Sequence, residues 1–573
     1  VAILNKYFKI LKDKLYEVIK DSQNMAMVLL VISMTLYFVW RMFYLTPSFE
    51  ELHDYCLFIS KGPLYVMTSF SSEGNHIGYN LLSSIISIFC NNHYIELRGV
   101  AFIASIANII LLYRVAKIFF DSFIPFSMVV VYMGFDMVNI QTLQGRSYSL
   151  STTLFLLTIY ILCRITIDGK YEKKYYVMLT ITFISAMYVL IWNIMWLVPI
   201  ALSVTTYLII NGARTQNISG KGVKNKYYLQ MINFFICEVI AVFVNAILYI
   251  PAVMGSGAGL VREDKNIDIS RLYILIKYPK ESFIEGINQI KNSFGAQQIE
   301  GSGYSEHWYN FVHTLCEEFV PGFGNFLILL GAISLIIMAI FCIRHFEESR
   351  TCIRLILIFT QCFVPFILIF TTKVPDYNVF LYIGVCIAFS FAIVMNGVSK
   401  RLQSFEEARY KLKRKKEIAI KQDSKKKSQK KKVQKGRNKI IPRRYRGALF
   451  NIPVVCAIVF YSVAILRSSF FKAYDVRTDL IYQALIMVDP SEYRNVAVSD
   501  YTQDLLLQFL YGIDSATSYE DIDYILLDKD MEEKSYDTAK EEGWYIGYYE
   551  LPWEEIIDMK IKYENSDFIV YTK

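Results

Sequence analysis

Side chains able to do chemistry gather at three points of this chain. Glu50 and Glu51 stand side by side, His53 and Asp54 follow within a turn, and Asn75-His76 come a little later. Acids held beside apolar walls tend to have raised pKa values, which suits a general base working near neutrality. Solvated loop acids with no catalytic part would show the same composition. The second point is the run from Gln141 to Tyr148, QTLQGRSY. Its Arg146 carries a planar fork that matches a phosphate or a carboxylate. It can equally pair with one of the acids just named, or snorkel to headgroups. The third point is TTKVPDY, where Lys373 and Asp376 form a charged turn; Lys373 suits a lipid phosphate contact or a plain interfacial anchor.

The elements that must position these groups are apolar. The chain has 573 residues, 54% hydrophobic and 20% charged. Its apolar residues are bunched into runs long enough to cross a bilayer, unlike the short segments of a water-soluble core. Such runs are read at 25–45, 97–119, 122–140, 147–167, 175–191, 193–211, 228–250, 322–343, 354–371, 377–397 and 449–466, about eleven helices. Placing the N-terminus inside puts every basic cluster inside: Lys6 to Lys20, Arg114/Lys117, Arg164 with Lys170 to Lys174, Lys221 to Lys226, and Arg344 to Arg354. The stretch before the first run lacks the short apolar core and small-residue cleavage site of a signal peptide, so that run is expected to stay as an anchor. The predicted layout is a cytoplasmic segment 1–24, an all-α membrane domain 25–397 with external loops 46–96 and 252–321, a basic cytoplasmic loop 398–446, a last span 449–466, and an extracytoplasmic domain 467–573. The apolar segment 76–90 is short for a span and is read as a helix lying in the outer interface.

Charge is local. Residues 400–446 hold 21 Lys/Arg against 4 Asp/Glu, so the rest of a +8 chain is acidic. Such a block is too charged to fold alone. A solvated loop touching anionic headgroups is favoured over nucleic-acid binding. The tail 467–573 has 23 Asp/Glu against 10 Lys/Arg, with strand-like runs RNVAVSDY, DYILLD, WYIGYYEL and DFIVYT between helical ones, and reads as a small α/β domain. Ten cysteines sit mostly inside apolar runs without a CxxC pair, which argues against a disulfide framework or a zinc module. No Walker loop, GxSxG or strand-borne GxGxxG is present. GSGAG at 255–259 reads as a hinge. Asp521/Asp523 and Asp528/Asp530 imitate metal-nucleotide DxD pairs, but on the side where nucleotide sugars are not expected. Histidines 53, 76, 93, 307 and 313 would be external near acids, so a divalent metal is permitted, but no spacing calls for one.

Five motifs in order resemble one family. They are Glu50-Glu51 after the first span; Asn75-His-x-x-Tyr79-x-Leu-Leu82; Leu97-Arg98 opening and Tyr113-Arg114 closing the next span; Gln144-Gly-Arg146-Ser-Tyr148; and Leu248-Tyr-Ile-Pro251. Together they resemble the membrane glycosyltransferases of the GT-C class, nearest to the bacterial family 39 type of protein mannosyltransferases and aminoarabinose transferases. The likeness covers roughly residues 25–400. It implies transfer of a sugar from a polyprenyl-phosphate carrier to a glycan, lipid or protein acceptor on the outer face of a plasma membrane, with no required cofactor and no nucleic acid. In that family the first acid of an Asp-Glu pair is the catalytic carboxylate. The matching residue here is Glu50, a methylene longer, and near-attack geometry is sensitive to that. Glu50 does the work in a shifted pocket, or Asp54 has taken the role, or activity is lost; Glu51 completes the catalytic candidates. Arg146 and Lys373 are the cations expected at the leaving phosphate, and His76, Tyr79 and Tyr148 are expected to line the sugar pocket.

Two other classes compete. A transporter would need ionisable groups near the bilayer midplane and often repeated halves; of the polar span residues Asp136, Asn139, Asn193, Glu238 and Asn245, only Glu238 is a charge well inside a span. A non-catalytic scaffold of envelope glycan assembly would use the tail and the basic loop.

Overall fold

A computed structural model describes residues 21–69, 76–219, 226–264, 271–293, 304–370, 376–426, 452–467, 469–516, 521–531 and 551–573. The helices, in order, are α1 Ser22–Tyr44, α2 Phe49–Leu57, α3 Pro63–Met67, α4 Ile77–Phe89, α5 His93–Phe119, α6 Ile124–Met133, α7 Asp136–Gln141, α8 Tyr148–Thr166, α9 Lys173–Val189, α10 Ile194–Ser219, α11 Lys226–Asp264, α12 Arg271–Lys277, α13 Pro279–Ser293, α14 Tyr304–Phe319, α15 Gly324–Arg344, α16 Arg350–Phe370, α17 Ile383–Lys426 and α18 Ile452–Arg467. The tail adds α19 Val476–Met487, α20 Tyr501–Tyr511 and α21 Trp553–Ile556, with strands β1 Val496–Val498, β2 Tyr524–Asp528, β3 Lys560–Glu564 and β4 Phe568–Thr572. The protein is a polytopic helical bundle with a small C-terminal α/β domain.

Among the described residues, seven helices are long and apolar enough to cross a membrane: 22–44, 93–119, 148–166, 191–216, 226–262, 324–344 and 383–402. The other four runs read from the sequence also fall on helices, with differences that have physical causes. The run 122–140 breaks in two at Gly134-Phe135, where the extended Phe135 backbone ends one helix and α7 starts afresh. α9 has 17 residues and α18 has 16, which are short for an untilted span. α16 carries Arg350 and Arg354 in its first turns.

Two expectations are corrected. The helix that starts with the apolar segment of α17 does not stop where the Lys-rich block begins; it continues through Lys426. A span supplies the costly helix nucleus, and a run rich in Glu, Ala, Arg and Lys then propagates it without a core of its own. The glycines of GSGAG are not a hinge but lie inside α11. A Cβ at Gly257 would stand 1.7 Å from the Ser282 carbonyl oxygen of α13, and one at Gly286 would stand 2.0 Å from that of Val253, so small residues bring the two helix backbones into contact.

The C-terminal sheet runs β1-β2-β4-β3, with β1 parallel to β2 and the other pairings antiparallel. Runs RNVAVSDY, DYILLD and DFIVYT become β1, β2 and β4, while WYIGYYEL lies almost wholly outside the described residues. β3 carries an exposed KIKYE pattern with too little apolar content to show as a strand. The core of this domain is continuous with α2 and the turn after it: Leu52, Tyr55, Cys56 and Ile59 pack in one cluster with Ile481, Leu485, Leu505, Phe509 and Val570.

Candidate active site

The described residues of the three charged points, Glu50 to Asp54 with His76, Gln141 to Tyr148, and Asp376, lie at one end of the bundle. α1 ends there, α5, α8 and α17 begin there, and the C-terminal domain follows from the end of α18. Helix-end basic residues Lys117, Arg164, Arg344 and Arg354 lie at the opposite end.

The acids are displayed by α2. Ser48 caps it through the Glu51 amide, and Glu51 accepts from the Ser48 amide at 3.0 Å, a complete capping box. Leu52, Tyr55 and Cys56 form the apolar face buried in the C-terminal domain, and Glu50, Glu51 and Asp54 lie on the rest of the helix. The Tyr55 hydroxyl donates to Glu96 at 2.7 Å and its ring stands edge-on to Phe509, while the Cys56 thiol donates to the Leu505 carbonyl at 3.4 Å. Burial pushes the Cys56 thiol up to about 12.

Glu51 is fully buried and fully engaged. Its two oxygens accept from Arg98 Nε and Nη2, both at 2.8 Å, from the Gly145 amide at 2.6 Å and from the Ser48 amide. Arg98 uses its remaining donors on the carbonyls of Met42 at 3.0 Å, Leu45 at 2.7 Å and Thr46 at 3.4 Å. One ion pair therefore ties the end of α1, the start of α2, the start of α5 and the 141–147 loop.

Arg146 sits where that loop enters α8. Its Nη1 donates to Glu50 in a tight ion pair, and its Nε faces Asp54 Oδ2 at 3.5 Å. Asp54 is 2% exposed and Arg146 8%, whereas the Glu50 side chain is 42% exposed, so Glu50 is the carboxylate that opens to solvent. Burial acts to lower the Arg146 pKa, but Tyr148, Asp54 and Glu50 outweigh it and raise it above the ordinary value. Its guanidinium lies over the Tyr148 ring, 5.5 Å from the centroid. The Tyr148 hydroxyl donates to Asp376 at 3.4 Å, and Asn378 links Asp376 at 2.8 Å to Gln141 at 2.7 Å.

His76 is buried at the start of α4, with its ring edge-on to Tyr148. Burial and, after it, the neighbouring Arg146 charge push its pKa well below 6.5. The Ser147 amide donates to Nδ1 at 3.3 Å, which assigns the proton of the neutral ring to Nε2. The Tyr79 hydroxyl is engaged by backbone: it donates to the Leu97 carbonyl at 2.7 Å, and its ring packs on Val100 and Ala101. Lys373 lies outside the described residues.

Several buried polar atoms here have no hydrogen bond among the described residues: Asp54 Oδ2, Arg146 Nε, Gln141 Oε1, Gln144 Oε1 and Ser147 Oγ. Such atoms are rare in folded proteins and mark places where water or a ligand completes the bonding. Among the described residues, no group of three or more His, Cys, Asp or Glu side chains is placed to hold a metal ion.

Sequence reasoning overlooked Ser48 as a part of the site, and named Gln144 and Gly145 within the 141–148 run without giving either a role. A Cβ at Gly145 would stand 2.5 Å from Leu97 Cδ1 and 3.0 Å from the Leu97 carbonyl oxygen. The Ser-x-x-Glu spacing of Ser48 and Glu51 was the available signal for the first of these.

Fold and site together define a polytopic helical protein with a carboxylate–guanidinium centre at one end of its bundle, roofed by an α/β domain. No protein-family model and no curated protein matches the chain. Among solved structures, the archaeal oligosaccharyltransferase AglB from Archaeoglobus fulgidus, in complex with an inhibitory peptide and a dolichol-phosphate, aligns with a TM-score of 0.46 and 11% identity, covering 88% of this chain and 70% of that one. An Archaeoglobus fulgidus oligosaccharyltransferase tethered to an acceptor peptide containing the NVT sequon aligns with a TM-score of 0.45 and 14% identity, covering 88% and 69%. Likeness at this level describes a coarse chain path and carries nothing about substrate or chemistry.

Proposed function

We propose that the chain is an integral membrane glycosyltransferase that moves a sugar from a polyprenyl-phosphate carrier to an acceptor, at the extracytoplasmic ends of its helices. The supporting observation is Arg146, a buried guanidinium set between a solvent-open carboxylate and a buried one, amid polar atoms that still want partners. The collection of basic helix ends at the far side supports the sidedness. The finer assignment to the protein-mannosyltransferase and aminoarabinose-transferase type rests on the order of sequence motifs.

Glu50 is the base of this reading. It takes the proton of an acceptor hydroxyl while that oxygen bonds to the anomeric carbon and the carbon–oxygen bond to phosphate breaks on the opposite face. One displacement inverts the anomeric centre. Arg146 meets the charge that gathers on the leaving phosphate, where a fixed cation in a dry site is worth most. Asp54 keeps the guanidinium oriented from below. His76, neutral at physiological pH, offers Nε2–H as a donor, and Tyr148 backs the guanidinium. Glu51 and Tyr79 act as positioning residues, since their polar atoms are already engaged.

The test is turnover of a panel of radiolabelled polyprenyl-phosphate sugars by protein in lipid nanodiscs. Wild type should consume at least one donor, and Glu50→Gln should lose roughly 10²–10⁴-fold in rate. A Glu50→Gln protein that folds and turns over at the wild-type rate refutes Glu50 as the base. If the wild type binds a donor and consumes none, a catalytic role falls and a scaffold reading gains.

A further inference from the structure

The Arg146 guanidinium, the natural receptor for the donor's phosphate, is already engaged at one corner of its fork. Nη1 donates to Glu50, and the Nε edge faces the buried Asp54 at 3.5 Å. Tyr148 covers one face of the group at 5.5 Å. A phosphate that takes both Nη atoms of the fork has to displace Glu50 from Nη1, since the Nε edge faces the buried Asp54, at 2% exposure, on a helix whose next turn packs into the C-terminal core. Glu50 differs: at 42% exposure, in the first turn of α2, its long side chain can swing aside without moving the helix. Glu51 cannot follow it, being held by four donors.

We propose that Glu50 and the donor phosphate compete for Arg146, so that binding of the lipid phosphate itself releases the catalytic carboxylate. This rests on the donor reading above. In the resting protein the Glu50 carboxylate is occupied by the Arg146 guanidinium. An incoming anionic phosphate exchanges with it carboxylate for phosphate, with no change in the number of charges on the guanidinium. The freed carboxylate then lies beside the sugar only while a donor is present.

The experiment is equilibrium binding of radiolabelled polyprenyl phosphate to protein in zwitterionic nanodiscs, with wild type, Glu50→Gln, Glu50→Ala, Arg146→Lys and Asp54→Asn, each checked for a cooperative thermal transition. Uncharged polyprenol and inorganic phosphate serve as separate arms, so that retention by the lipid tail and recognition of a free anion are told apart. Removing the competitor should tighten polyprenyl phosphate about fivefold in both Glu50 variants, the competition that a half-exposed ion pair offers. Arg146→Lys should weaken it, because an ammonium lacks the bidentate fork. Equal or weaker binding by both Glu50 variants, with weaker binding by Arg146→Lys, overturns the competition and leaves the donor reading standing. If wild type does not distinguish polyprenyl phosphate from polyprenol, both fall. If inorganic phosphate alone shows the tightening, the anion site stands and the lipid donor does not.

Discussion

The pair Glu51–Arg98 is the part of the site whose energetics can be worked most directly. Arg98 places all five of its donors: two on Glu51 and the rest on the carbonyls of Met42, Leu45 and Thr46. Glu51 fills its four acceptor positions with Arg98 and the amides of Ser48 and Gly145. Both side chains are 0% exposed. Glu51→Gln keeps the volume but removes the charge and turns an amide nitrogen toward donors. Breaking a buried pair from one side costs about 3–5 kcal/mol, because the other charge is left unpaired. Arg98→Met should cost a similar amount, for the mirror reason. The double variant Glu51→Leu/Arg98→Met removes both charges, so it should lose less than the two singles together, with a coupling of about 2–3 kcal/mol. It does not return to wild type, since three carbonyls and two amides still lose their partners. Denaturant titration of purified protein, followed by tryptophan fluorescence, measures all four corners. Singles within about 1 kcal/mol of wild type, or a strictly additive double, would refute the clamp.

Further outcomes follow from neighbouring groups. Gly145→Ala should fold yet lose activity at least tenfold, because its Cβ would press on the Leu97 backbone and side chain and displace the Arg146 loop; unchanged turnover would show that the loop yields freely. His76 is buried with a pKa well below 6.5, so below about pH 6.5 the unfolded chain binds a proton that the folded one refuses, and stability falls with falling pH by up to ~1.4 kcal/mol per unit. His76→Gln should flatten that limb of a thermal-midpoint profile from pH 7.5 to 5, and an unaltered slope would exclude His76 as its source. Cys56, with its thiol pushed up to about 12 and sealed between α2 and α20, should resist maleimide at pH 7.5 in folded protein and react on unfolding; rapid labelling of the native state would mean the seam opens.

The membrane helices and the α/β character of the tail were legible in the sequence because hydropathy and strand-like alternation act segment by segment. So was the Arg-bearing turn at 141–148, since a cation at the unexpected end of a span needs a partner. What the sequence left open was which acid does what. Glu50, Glu51 and Asp54 have the same chemistry and lie within one helical turn and a half, and only the packing separates them: one open to solvent on Arg146, one locked by Arg98, one buried beneath. The close approach of α11 and α13 through Gly257 and Gly286 was invisible for a related reason, as glycines that serve a hinge and glycines that admit a neighbouring backbone look alike until the neighbour is known. The fusion of α2 with the C-terminal domain joins residues more than four hundred positions apart, such as Cys56 and Leu505. Local pattern fixes which residues are apolar or charged, but burial and pairing are properties of contacts distant in the chain, and those exist only in the folded molecule.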